Sequence, residues 1–231
     1  MFDWFSKGHE SGSAGLKEMR TQFGQMLDAG HHVFDTAANA FLGRTDLEVI
    51  RQDLFATDKR INRAEQQIRR EIVVHATVHG PTEFPPCLVL MSIVKDAERV
   101  GDYAKNIFDL AEFTPRPPSG EHKDRLVDLK NRISQMMATC REIFDAHEPQ
   151  EARELIREAQ DIEDACDEQV RKLLQGTGEV EAAASYALAY RYFKRVVSHV
   201  RNIASSVVQP IDKLDFPAKP PAETEPETSG E

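Results

Sequence analysis

The chain has 231 residues, 40% hydrophobic and 29% charged, with a formal net charge of −10. This is the balance of a protein with a real core; the charge argues against nucleic acid, which asks for a concentrated basic patch, and gives no attraction to an anionic membrane surface. Cys87, Cys140 and Cys166 are few, distant and in no Cys-x-x-Cys pair, so neither a disulfide framework nor a cysteine zinc site is expected, and each reads as a small core residue in a reducing compartment.

The opening MFDWFSKGHESGSAG has no apolar run of signal-peptide length. No segment approaches the ~20 apolar residues that span a bilayer, so the expectation is a soluble, cytoplasmic protein without direct membrane insertion. Residues 1–13 are expected to be a flexible segment whose Phe2, Trp4 and Phe5 either dock on a partner or fold back on the core. Beyond it, apolar residues recur every three to four positions and predict six helices. The first runs from Ala14 to Leu42. Asp46 caps the second, Leu47 to His79, and GPTEFPP then forces a break. The third runs from Pro86 to Phe113, with proline tolerated in its first turn. Residues 114–120, TPRPPSG, are a Pro-rich linker. Three more helices follow, Glu121–His147, Gln150–Gln175 and Glu179–Leu214. The acidic, Pro-rich tail 215–231 is expected to be disordered.

The two halves look like copies. Leu16, Met19, Phe23, Met26, Leu27, Val33 and Phe34 match Leu126, Leu129, Ile133, Met136, Met137, Ile143 and Phe144 at one offset. AEQQIRREI from Ala64 answers CDEQVRKLL from Cys166, and ERVGDYAKNI from Glu98 answers KRVVSHVRNI from Lys194. The fold class expected is all-α: two tandem three-helix bundles, residues 14–113 and 121–214, related by internal duplication. There is no Gly-rich phosphate loop, nucleophile elbow, HExxH or Rossmann fingerprint, and no pair of Glu-x-x-His motifs of the di-iron kind.

KDAERVGDYAKNI, Lys95 to Ile107, carries two local costs. Glu98 and Asp102 place like charges at i and i+4, and Gly101 gives up roughly 1 kcal/mol of helix propensity against alanine. Ala97, Gly101 and Ala104 share a face that reads as a seam for close helix packing. The plain reading of the charges is a solvated flank laced by weak pairs, Lys95 with Glu98 and Lys105 with Asp109.

LMSIVKDAERVGDYAKNIFDLAE, Leu90 to Glu112, closely resembles the signature helix of the PhoU family of phosphate-signalling regulators. In that family a Glu-Arg-[Ile/Val]-Gly-Asp-[His/Tyr]-Ala-x-Asn-Ile run closes each of two three-helix repeats, and the likeness covers roughly residues 14 to 214. It implies a PhoU-like six-helix architecture and a non-enzymatic regulator of phosphate homeostasis. The implied partners are a phosphate transporter complex and a sensor histidine kinase, with a homodimer left open. It also associates the helix carboxylates with divalent or ferric cations.

Hard cations take several carboxylate oxygens, so Glu98 and Asp102 need a neighbouring helix to complete a shell, and Asp58, Asn62 and Glu65 share the required face of the second helix. One metal site is expected, for a divalent cation or iron. In the second copy Lys194, Val197 and Ser198 stand where the motif has Glu, Gly and Asp, so Asp164 and Asp167 lack third-helix partners. Two alternatives stay open: a metal-binding bundle with a storage or redox role, and a structural adaptor that has lost phosphate signalling. No basic cradle for free phosphate is evident. His75 and His79, at i and i+4 with no carboxylate at suitable spacing, read as helix-end histidines. Tyr186, Tyr190, Tyr192 and Phe193 read as core or helix–helix contacts.

Overall fold

The computed structural model describes residues 13–43, 46–176 and 180–216. The expectations for Phe2, Trp4 and Phe5, and nearly all of the tail, therefore lie outside the described residues. Among the described residues six helices follow in chain order: α1 Ala14–Phe41, α2 Leu47–His79, α3 Phe84–Phe113, α4 Gly120–Ala146, α5 Pro149–Gln175 and α6 Val180–Val208. No described residue lies in a strand.

Local chemistry sets the ends. The Asp46 side chain accepts from the Glu48 N–H at 2.9 Å, supplying the expected cap of α2. Gly80 closes α2 at φ 72°, a conformation that glycine adopts without penalty. Two expected ends move by more than one residue. The third helix starts at Phe84 rather than Pro86, because Pro85 and Pro86 both fit in a first turn whose N–H groups need no helical acceptor. The sixth helix stops at Val208 rather than Leu214. Pro210 has no N–H to donate and its ring clashes with the preceding turn, so the chain continues as a 3₁₀ turn, Ile211–Lys213, against α3.

Within the first half α1 packs on α2 and α3, and α2 on α3; the second half repeats this with α4, α5 and α6. The halves join through α1 with α4 and α3 with α6, leaving α2 and α5 outermost. Apolar side chains form one continuous core across that junction. Phe23 of α1 meets Phe144 of α4 with ring centroids 4.8 Å apart, and Phe34 meets Phe193 of α6 edge-on at 5.6 Å.

The small-residue seam of α3 is divided between neighbours. Ala97 is buried against α1, where a Cβ on Gly30 would lie 3.3 Å from Val100. Gly101 faces α2, and a Cβ there would lie 3.4 Å from Ile61 and 3.7 Å from Asp58, ordinary contact distances. The closest approach therefore falls at Gly30, not at Gly101, because α3 turns its alanine toward α1 and its glycine toward α2.

Candidate functional site

The five expected residues converge on the α2–α3 seam. Asp58 is buried, and Glu98, Asp102, Asn62 and Glu65 are partly so. Asn62 donates from Nδ2 to Asp58 Oδ2 at 3.4 Å. Burial, reinforced by the charges of Asp102 and Glu65 and by a hydrogen bond to Asp102, pushes the Glu98 carboxyl up to about 7; Arg99 offsets only part of this. At neutral pH Glu98 is therefore divided between its acid and carboxylate forms.

The cations of the seam are the protein's own. Lys105 Nζ bridges Asp58 Oδ1 and Asp102 Oδ1, 3.0 Å from each. Burial pulls the Lys105 ammonium down, but Asp102 and Asp58 outweigh it and leave it raised. Arg99 donates to Asp102 Oδ2 at 3.0 Å and lies 3.7 Å from Glu98; Arg69 holds Glu65 at 3.0 Å. The weak pair expected between Lys105 and Asp109 does not form, because α2 brings the more deeply buried Asp58 to the same ammonium. The role of Lys105 was readable from its i+3 spacing to Asp102; its choice of Asp58 was not.

The donor set is all oxygen, as a hard cation requires. As placed, however, Lys105 occupies the space between Asp58 and Asp102. No group of three or more His, Cys, Asp or Glu side chains among the described residues is arranged to hold a metal ion. The residues fit a cation by type, and the arrangement at hand uses an ammonium and a proton.

The second copy answers the same electrostatic problem differently. Lys194, at the place of Glu98, pairs with Asp167, at the place of Glu65. Ser198, at the place of Asp102, donates to Glu163 at 2.8 Å, and Arg201, at the place of Lys105, lies 3.3 Å from the same carboxylate. Where the first seam sets acid against acid, the second sets acid against lysine. Asp164 is exposed and takes no part.

Elsewhere His75 departs from a plain helix-end histidine. It is buried, and the α2–α3 turn brings Glu83 Oε2 to 3.3 Å from Nε2 while Ser13 Oγ lies 3.0 Å from the same nitrogen. The carboxylate missing from the α2 spacing thus arrives from the next element. Serine and glutamate share one ring nitrogen, so the trio lacks the relay through both nitrogens that activates a serine. Tyr190 and Phe193 are fully buried, and Tyr186 packs on His122, as helix contacts should. All three cysteines are buried, and burial pushes the Cys140 and Cys166 thiols up to about 12, which makes them inert at neutral pH.

The sequence pattern of the PhoU domain matches residues 23–111, which include the Glu98–Asp102 seam. Over 156 residues the chain is 26% identical to the phosphate-specific transport system accessory protein PhoU homolog of Synechocystis sp., covering 65% of this chain and 69% of that one. The fold is similar to the crystal structure of PhoU from Pseudomonas aeruginosa, with a TM-score of 0.72 at 20% identity over 84% of this chain and 96% of that one. It is similar also to that of the phosphate transport system regulatory protein PhoU from Streptococcus pneumoniae, at 0.68 and 18% over 84% and 93%.

Proposed function

Because residues 23–111 match the PhoU domain, we propose that this chain is a PhoU-family protein that regulates phosphate transport and phosphate-starvation signalling, acting through protein–protein contacts rather than by catalysis. The match of residues 23–111 to the PhoU domain carries this reading. Its partners are a phosphate transporter complex and a sensor histidine kinase, met by the helical surfaces. The buried, unactivated cysteines and the single-nitrogen arrangement at His75 support a non-enzymatic role. The test is deletion of the gene, with phosphate uptake and a phosphate-starvation reporter followed from scarce to ample phosphate. Reporter activity that persists at ample phosphate is the expected result, and unchanged uptake and reporter at every level would sink the reading.

The displaced titration of Glu98 favours a second element, dependence on a hard divalent cation or iron. Glu98, Asp102 and Glu65 would hold it, with Asp58 and Asn62 beside them. The ion would supply the positive charge that a proton and Lys105 now provide. Metal analysis of the purified protein tests this. Stoichiometric metal that is lost in Glu98→Gln with Asp102→Asn supports it, and protein free of stoichiometric metal removes it.

A further inference from the structure

We propose that the outer face of α2, from Lys59 to Val78, is the docking surface for an acidic helix of a partner protein. This deepens the reading of a regulator that acts through protein contacts and rests on it for the class of partner; the test below uses no phosphate, so either can fail alone. Lys59, Arg60, Arg63 and Arg70 are exposed, and no exposed aspartate or glutamate lies between them. Among the described residues none of the four is paired with a carboxylate. Like charges at i and i+4, as at Lys59 and Arg63, are unfavourable. A chain of net charge −10 thus carries a cationic stripe that works against its own helix.

The neighbouring acids are already engaged. Glu65 is held by Arg69, Asp58 by Lys105 and Asp53 by His32. Glu71 accepts from Gln67 and, on α1, Glu18 accepts from Gln22 while Asp28 lies 3.3 Å from Arg141. The complement of the stripe must therefore come from outside the chain. Lys59, Arg63 and Arg70 stand at i, i+4 and i+11, one line of about 16 Å along the helix. The α1–α2 groove beside it, about 670 Å³, presents the amides of Gln22 and Gln25. The line ends in Val73, Val74 and Val78, which are 60%, 64% and 72% exposed. A helix laid along this face sets carboxylates at three- and four-residue spacing against the cations and apolar side chains against the valines, a contact about 28 Å long.

A second copy is the poorer occupant. The corresponding face of α5 carries Asp161, Asp164 and Glu168 as its exposed charges between residues 161 and 168, but Glu168 is held by Lys172. Two copies of net charge −10 repel, and an α2-on-α5 contact is heterologous, leaving an unfilled face at either end.

The probe is a fluorescein-labelled, alanine-rich peptide of roughly 20 residues, long enough to be helical alone, with glutamates along one face and two leucines at one end. Anisotropy with the full chain should show binding that weakens as salt is added. Arg63→Glu with Arg70→Glu should weaken it about tenfold or more without lowering the melting temperature, since both side chains are exposed. Arg157→Glu with Arg171→Glu, the same change of net charge on exposed positions of α5, should leave it unchanged. A peptide of equal composition with its glutamates scattered around the helix should bind several-fold less tightly. No binding of the one-faced peptide, equal binding of the scattered one, or binding that survives the α2 double substitution overturns the proposal. So does tighter binding of the same face to phosphatidylserine vesicles (a membrane), or salt-sensitive self-association that the α2 substitutions abolish (a second copy).

Discussion

Glu98 carries a definite pH signature. Its folded carboxyl titrates at about 7 against an ordinary 4.5. Below 4.5 both folded and unfolded chains hold the proton, so the group contributes no difference. As pH rises from 4.5 to 7 the unfolded chain releases its proton first, and stability falls, with a slope of at most about 1.4 kcal/mol per pH unit. Above 7 both forms are ionised and the penalty stays constant. Glu98→Gln should remove this slope and raise stability at pH 8 by up to about 3 kcal/mol, read from urea melts across pH. An unchanged slope would mean that burial and the neighbouring carboxylates do not raise the Glu98 carboxyl. Gly101 gives a second measurable consequence. A Cβ there meets only ordinary contacts, and alanine restores roughly 1 kcal/mol of helix propensity. Gly101→Ala should therefore be neutral or stabilising, whereas Gly15→Ala, with His75 Nδ1 only 2.9 Å from the new methyl, should lower the melting temperature.

The pair α2–α3 and its counterpart α5–α6 are a natural experiment in charge. Lys194→Glu would recreate in the second seam the acid-on-acid contact of the first, setting a carboxylate beside Asp167 in place of its ion pair. Because Asp167 is substantially exposed, the cost should be modest, about 1 kcal/mol. It should shrink as salt is added, and the reversed pair Lys194→Glu with Asp167→Lys should recover most of it. A thermal melt in low and high salt checks all three statements. These helices also show what the sequence could and could not reveal. Their existence was plain, because Ile61, Ile68 and Ile72 or Val196, Val200 and Ile203 repeat with the helical period and are buried. The meeting of Glu98, Asp102, Asp58, Asn62 and Glu65 was readable too, since residues on facing stripes of adjacent helices must approach. The identity of each ion pair was not. Lys105 selects Asp58 through the axial register of α2 against α3, and His75 finds Glu83 across a turn. Spacing within one helix encodes neither. The end of α6 was misplaced for a simpler reason: apolar Ile211 and Leu214 continued the period past a proline that the backbone could not accommodate.

The duplicated halves suggest two independent bundles, yet their interface is the middle of the core. Phe23 and Phe34 belong to the first half and Phe144 and Phe193 to the second, all four are essentially buried, and they pair across the junction. Polar contacts join the same surfaces. His199 Nδ1 lies 2.7 Å from Asp96 Oδ1, Asn202 donates to the same oxygen at 3.0 Å, and Tyr103 stacks on His199 at 5.7 Å. Neither half can leave without exposing aromatic rings and stranding Asp96, so separation and unfolding should be one event. Phe23→Ala and Phe144→Ala should each cost about 3–5 kcal/mol. Each should shift a single transition rather than split it, even though the residues lie in different halves. The double substitution should cost less than the sum by about 0.5–1.5 kcal/mol, the part of the loss that belongs to the ring pair itself. Urea melts followed by circular dichroism, with amide exchange resolved by half, make the comparison. Two transitions, with Phe23→Ala moving only the one from residues 14–113, would show that the repeats fold separately despite their shared core.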